Sequence, residues 1–377
     1  CCRAGRWTAA RSPCSPRHPL PRPPIRLWAV AKQQRIDPRT IERTRAKNEA
    51  AKKVTGKQAP SKRRGKSGRP GGRPAEQVPP ATFGTWIAGA RPLTLALAVA
   101  PVVLGTGAAS LQTEHWWDHW VRALLALAVA VALQIGVNYA NDYSDGVRGV
   151  DRDRIGPPRL VGSGRAKPRH VLVVALVFFA LAAMAGATLI VLSQQWWLFA
   201  AGVVALAAAW FYTGGPKPYG YLGFGELVAA VFFGPVAVAG TMFTQVGEVN
   251  VEAWVGGAAL GLLAAAVLVV NNLRDRERDA ENGKRTLAVL LGNVGTRVLY
   301  IVLMALPFVA LAFYILFYDY TVFVFFVGLA ALPAMLIVAT AKTPREYVVA
   351  LRLTLLTAFV FGVGMGAVLA FGGILWI

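Results

Sequence analysis

Cysteine is nearly missing. Three occur in 377 residues, Cys1, Cys2 and Cys14, so the remainder of the chain has no internal disulfide and no thiolate metal site. Histidine is almost as scarce. Of four, only His115, His119 and His170 lie beyond the first hundred residues, and none falls in a motif described below. Charge is thin as well, at 16% Asp, Glu, Lys and Arg, which argues against an ordinary soluble domain. The first methionine is Met184. An over-extended start or a fragment is therefore expected, with Val30 a candidate non-ATG start. No apolar h-region precedes residue 80, so a signal peptide is not expected.

Apolar residues fill the space. The chain is 55% hydrophobic, with a mean hydropathy of +0.47. They fall in blocks of about 18–25 residues, the length that spans a bilayer as helix. Nine such segments are predicted: 93–110, 121–140, 171–193, 196–213, 226–245, 253–272, 298–317, 321–341 and 348–376. The chain reads as an all-α, multi-pass integral membrane protein.

The net charge of +21 belongs mostly to a tail. Residues 1–80 hold 21 Lys/Arg against 4 Asp/Glu, whereas residues 81–377 hold 19 against 15. The tail is rich in Pro, Gly, Arg and Lys and reads as disordered, with one exposed helix possible over Asp37–Lys53. Attraction to anionic lipid is one reading of its charge; a dispensable extension is the other. Without interleaved aromatics a nucleic-acid partner is not expected. The two domains predicted are thus 1–80 and a membrane body at 82–377.

Charge also sets the topology. Loops at 111–120, 193–196, 246–252 and 318–320 carry no Lys or Arg, while the alternate loops carry nearly all of it. By the positive-inside rule the tail and the basic loops are cytoplasmic and the C-terminus is outside. Trp116, Trp117, Trp120, Trp196, Trp197 and Trp376 then fall near the outer interface, as an aromatic belt would.

Two polar clusters break the apolar pattern, both on the cytoplasmic side. The first is NYANDYSDGVRGVDRD, with Asn138, Asn141, Asp142, Asp145, Asp151 and Asp153. The second is NNLRDRERD, with Asn271, Asn272, Asp275 and Asp279. Both read V-N-x-x-x-D followed by another Asp, and four helices separate them, which suggests a duplicated four-helix unit plus a ninth helix. On a continuing helix, residues i, i+4 and i+7 share a face. Two such faces meeting would crowd four carboxylates together, and a cation must offset that. Oxygen ligands without His or Cys favour Mg²⁺ completed by substrate phosphate. YTGGPKPYGYLGFGE (Tyr212–Glu226) adds Lys217 on the same side, and ENGKRTLAVLLG (Glu281–Gly292) adds Lys284 and Arg285, cations suited to diphosphate oxygens. Asp153 is left to the loop.

These stretches resemble the UbiA superfamily of membrane prenyltransferases. NDYSDGVRGVD is similar to its first Asp motif and DRERD to its second. GARPLTL, RLVGSG, the Tyr212–Glu226 loop and NNLRDRERDAENGKRTLAVLLG resemble, more narrowly, the 1,4-dihydroxy-2-naphthoate polyprenyltransferases of menaquinone biosynthesis. The resemblance implies a nine-helix bundle around a central cavity with two Mg²⁺ at its cytoplasmic mouth. It implies metal contacts from Asn141, Asp142, Asp145, Asp151, Asp275 and Asp279. It also implies diphosphate contacts from Asn138, Asn141, Arg148, Tyr212, Asn272, Lys284 and Arg285. Lys217 is carried over by loop position only. Many members have Tyr-x-x-x-Lys, and here four residues separate Tyr212 from Lys217. The implied substrates are a polyprenyl diphosphate and 1,4-dihydroxy-2-naphthoate. Acceptors such as 4-hydroxybenzoate or homogentisate stay open, as does a cation transporter using the Asp pairs as ion sites. A CDP-alcohol phosphotransferase fits worse, because Gly149-Val150 stands where Ala-Arg is needed.

Overall fold

The computed structural model describes residues 78–113, 115–149 and 159–372. The tail up to residue 77, Asp151, Asp153 and Trp376 lie outside them.

Every regular element described is helical, and among the described residues nine long helical segments follow in chain order. They are α1 (Phe83–Ser110), α2 (Trp120–Arg148), α3 (Pro168–Ser193), α4 (Leu198–Phe211), α5 (Gly225–Val246), α6 (Val251–Glu281), α7 (Leu287–Ile315), α8 (Thr321–Thr340) and α9 (Pro344–Phe371). Among the described residues eight are long and apolar enough to cross a membrane; α4 is shorter. Its 14 residues rise about 21 Å, less than the roughly 30 Å hydrocarbon core. The chain is a multi-pass membrane protein.

α2 and α6 run past the apolar stretch into the polar motifs. α2 has 29 residues and α6 has 31, so each is longer than about 40 Å. The sequence segments ending at 140 and 272 mark where the apolar stretch stops; the helices continue through the polar motifs. α7 starts eleven residues before the predicted 298, at Leu287, because the helix resumes past a break at Gly292 (φ 69, ψ −173).

α6 is the central helix. In its apolar window 72% of residues are buried, against 22% in α2 and 28% in α3 and α7. Small residues allow this. Gly257 and Gly261, four apart, face the α5 bulge at Gly234-Pro235, where a Cβ on Gly234 would strike the Gly257 carbonyl oxygen. The same spacing recurs in α9, where Gly366 lies so close to Gly107 of α1 that neither has room for a side chain. At the end remote from the motifs, Arg122 of α2 donates to the Leu192 and Gln245 carbonyl oxygens, both at 2.8 Å, closing the last turns of α3 and α5.

α1 is broken at Arg91, which adopts a left-handed backbone (φ 53, ψ 67). Asn138 holds the break, donating to Ala90 O at 2.8 Å and to Thr94 Oγ1 at 3.1 Å.

Candidate active site

One cavity of about 450 Å³ runs down the bundle. Its mouth collects Asn138, Asn141, Asp145, Tyr212, Asn272, Asp275, Asp279 and Lys284, eight of the residues singled out in the sequence. Its body is apolar, with walls from α1 to α6 that include Val102, Leu133, Leu198, Phe232 and Val267.

Helix geometry carries the carboxylates there. Asp145 lies on the last turns of α2, and Asp275 and Asp279 on the last turns of α6. Lys284 joins the two helices. Its Nζ is 3.6 Å from Asp145 Oδ1 and 4.0 Å from Asp279 Oδ1, and it lies over the Tyr221 ring at 4.3 Å. The Tyr221 hydroxyl donates to Asp145 Oδ1 at 2.5 Å, and Arg159 Nη2 is 3.7 Å from Asp145 Oδ2. On α6, Arg274 grips Asp275 through Nε (2.9 Å) and Nη2 (2.6 Å), and also donates to Asn271 Oδ1 at 2.8 Å. Thr213 donates to Asn141 Oδ1 at 2.5 Å, and Asn272 donates to Glu226 Oε1 at 2.8 Å.

Burial and the Asp145 carboxylate push the Tyr221 hydroxyl far above its usual range, so it stays a neutral donor. Burial pushes Tyr219, also on the cavity wall, up to about 12.

Four of the expected residues are not on the cavity wall. Asp142 does not face the cavity. Its carboxylate accepts the backbone N–H groups of Leu160 (2.8 Å) and Val161 (3.1 Å), pinning the following loop. Arg148 is spent on loop carbonyls, donating to Thr213 O at 2.6 Å and Gly215 O at 2.5 Å. Lys217 is exposed and off the cavity wall, because the Gly-Pro turn directs it outward. Arg285 is exposed too; its backbone N–H, not its guanidinium, is used, donating to Tyr221 O at 2.8 Å. Asp151 falls outside the described residues.

Arg159, Thr213, Tyr219, Tyr221 and Arg278 are among the cavity residues with no role assigned from the sequence. Arg159, in the quoted RLVGSG, reads in the sequence only as a topology charge. The two tyrosines sit in the quoted Gly-Pro loop, whose only cation in the sequence is Lys217.

Magnesium fits this donor set. All candidate ligands are oxygens, from Asn141, Asp145, Asp275 and Asp279. Among the described residues no three acidic, His or Cys side chains converge as a metal cage. Mg²⁺ takes one or two carboxylates and fills its shell with water and substrate phosphate.

A family model described as "UbiA prenyltransferase family" matches residues 98–347. The chain belongs to this family. Its fold is shared with a UbiA homolog from Aeropyrum pernix K1, solved in the apo state (18% identity, 71% of this chain and 96% of that one, TM-score 0.55). It is shared too with one from Archaeoglobus fulgidus bound to DMAPP and Mg²⁺ (17% identity, 75% and 99%, TM-score 0.51). Among relatives, the 1,4-dihydroxy-2-naphthoate octaprenyltransferase of Mycobacterium tuberculosis is 52% identical over 300 residues, covering 78% of this chain and 99% of that one. The enzyme of the same name from Escherichia coli is 39% identical over 241 residues, covering 62% and 76%.

Proposed function

We propose that this UbiA-family enzyme transfers a polyprenyl group from its diphosphate to 1,4-dihydroxy-2-naphthoate, with loss of CO₂ and diphosphate, in menaquinone biosynthesis. The observation that carries this is the pairing of a charged mouth with an apolar cavity, in a chain 52% identical to an octaprenyltransferase over nearly that enzyme's whole length.

The residues divide the work. Lys284, Arg159 and Arg278 provide positive charge for the diphosphate. Asn141, Asp145, Asp275 and Asp279 would hold Mg²⁺. When bound, Mg²⁺ neutralises the diphosphate as a leaving group. As the C1–O bond breaks, the diphosphate takes the electron pair and an allylic cation is left beside the Tyr212, Tyr219 and Tyr221 rings, whose faces favour positive charge. The apolar wall keeps water from trapping it. The electron-rich ring of the acceptor forms the new C–C bond at its carboxylate-bearing carbon. The C–CO₂ bond then breaks, its electrons restore aromaticity, and no external base is needed.

Orientation and domain roles belong to the same reading. The motif loops and N-terminus face the cytoplasm and the C-terminus lies outside. Residues 82–377 carry the activity and 1–80 are dispensable. Purified protein in lipid, with Mg²⁺, a polyprenyl diphosphate and a panel of aromatic acids, tests the function. Prenylated, decarboxylated product from the naphthoate supports it; faster turnover of 4-hydroxybenzoate or homogentisate refutes the acceptor.

A further inference from the structure

One buried carboxylate beside the mouth takes no part in the proposed reaction. Glu226, in the first turn of α5, is 3% exposed. Its neighbours Gly225, Val228 and Ala229 line the cavity, and it does not. Its Oε1 accepts from Asn272 Nδ2 at 2.8 Å, and its other partners are the backbone N–H groups of Glu226 itself and of Leu287. A buried carboxylate is costly unless it is paired and hydrogen-bonded. What it does for its amide partner gives it a role.

Asn272 lies on the carboxylate stripe of α6. Taking it as zero, Asp279 falls at about −20° and Asp275 at about −60°, and all three line the cavity. Asn272 precedes Asp275 by three residues, so it lies about 4.5 Å deeper along the axis. Its amide has two unlike ends, and Glu226 decides which one the cavity meets. A carboxylate oxygen accepts and an NH₂ donates. The nitrogen end, with both its protons, is therefore held on the α5 side, and the planar amide turns Oδ1 the other way. The wall below Asp275 thus carries an acceptor. A phosphate oxygen is an acceptor too and makes no hydrogen bond there, whereas positive charge is favoured. The diphosphate contact that the resemblance implies for Asn272 needs the NH₂ instead.

We propose that Glu226 is a positioning residue that acts through Asn272. It fixes the amide oxygen toward the cavity. That keeps the diphosphate up at Asp275 and Asp279 and leaves C1, where the allylic cation forms, beside Asn272 Oδ1. This rests on the donor being a prenyl diphosphate that ionises, as proposed above. Charge along α6 is then sorted by depth, with the leaving group at the mouth and the cation below it. An amide free to turn would offer its NH₂ to a phosphate oxygen three residues too deep. The donor would then bind more tightly and react more slowly, because the added contact belongs to the ground state.

The test uses the purified full chain in lipid nanodiscs with Mg²⁺. Equilibrium binding of geranylgeranyl diphosphate is measured without an acceptor. The kcat and both KM values are then measured with 1,4-dihydroxy-2-naphthoate present. Glu226→Leu should bind the donor about threefold to tenfold more tightly than wild type, the scale of one added hydrogen bond. Its kcat should fall about tenfold or more, with the naphthoate KM unchanged. Glu226→Gln should return most of both values, because its amide oxygen can still accept from Asn272. The double variant Glu226→Leu/Asn272→Leu should lose the tight binding and stay slow, since no NH₂ remains to turn. A merely structural role would not tighten binding, so unchanged or weaker donor binding by Glu226→Leu overturns the proposal. Asn272→Leu keeps the proposal testable should Glu226→Leu fail to fold. It should slow turnover with donor affinity unchanged; a loss of about tenfold in donor affinity would make Asn272 a diphosphate donor and overturn the proposal. Because binding is read without acceptor, a wild type that binds the donor but prenylates no naphthoate sinks the proposed function and leaves the Glu226 proposal standing on the affinity series. Normal wild-type turnover without tighter binding by Glu226→Leu does the reverse.

Discussion

Replacing Lys284 with Met should separate two roles that the resting structure overlays. The ammonium lies 3.6 Å from Asp145 and 4.0 Å from Asp279, with its side chain 12% exposed. At an effective dielectric near 20 each contact has a gross attraction of about 4 kcal/mol, and desolvation of the three charges offsets much of it. In the proposed reaction the same charge faces the departing diphosphate. Donors aimed at developing negative charge contribute about 2.7–4 kcal/mol, so kcat should fall roughly 10²–10³-fold. A second readout points the other way. Without Lys284 the two carboxylates lose a competing cation, and the Mg²⁺ concentration for half-maximal activity should drop. Steady-state kinetics across a Mg²⁺ titration measures both. A kcat within about threefold of wild type would show that the lysine only neutralises the resting site. A slow variant with an unchanged Mg²⁺ requirement would contradict its place between the carboxylates.

Asp145→Asn should abolish detectable prenyl transfer while leaving the thermal transition of the detergent-solubilised protein in place, checked by turnover and melting together. Asp142→Asn should instead lower thermal stability, because one of its two charge-assisted bonds to the Leu160–Val161 backbone is lost, at about 1.5–3 kcal/mol; an unchanged melting temperature would contradict the pinning role. Lys217→Ala and Arg285→Ala should each keep activity within about twofold of wild type, since both side chains are exposed and away from the cavity. Chelation with EDTA should stop turnover and added Mg²⁺ restore it; activity that survives exhaustive chelation would remove the metal. Gly366→Val should cut the yield of folded protein, because its Cβ has no space against α1.

The fold was legible because its determinants are local. Each membrane helix needs only a long apolar run, and the alternation of basic loops is visible residue by residue. α2 and α6 were harder. Their last turns are polar, so hydropathy ends them at 140 and 272 although the helix continues. The candidate site was half legible. Paired Asn and Asp clusters at helix ends were visible because such residues are expensive in a greasy chain. Loop side chains were not. Whether Lys217 or Tyr221 turns inward depends on a Gly-Pro turn whose path is set by contacts with α2 and α6, which sequence spacing does not encode. Arg148 illustrates the same limit. Its charge suggested phosphate, but the orphan carbonyls of Thr213 and Gly215 were nearer claimants.

Asp142 shows where the face-sharing argument loses resolution. At 3.6 residues per turn each residue advances about 100°. Taking Asn138 as zero, Asp145 falls at about −20°, Gln134 at −40° and Asn141 at −60°, while Asp142 falls at about +40°. The first four line the cavity and Asp142 does not. A spacing of i, i+4 and i+7 is thus compatible with a stripe on either side of Asn138, and the identity of the neighbouring element chooses between them. Here the element on the positive side is the loop carrying Leu160 and Val161. Arg159, next to Leu160 in that loop, reaches Asp145 with its guanidinium. Two carboxylates three residues apart therefore serve one site by different routes. Asp145 enters it, and Asp142 fixes the backbone that brings a cation to Asp145. Sequence proximity makes them look equivalent; a rotation of about 60° around the helix separates a cavity-lining carboxylate from one that positions a loop.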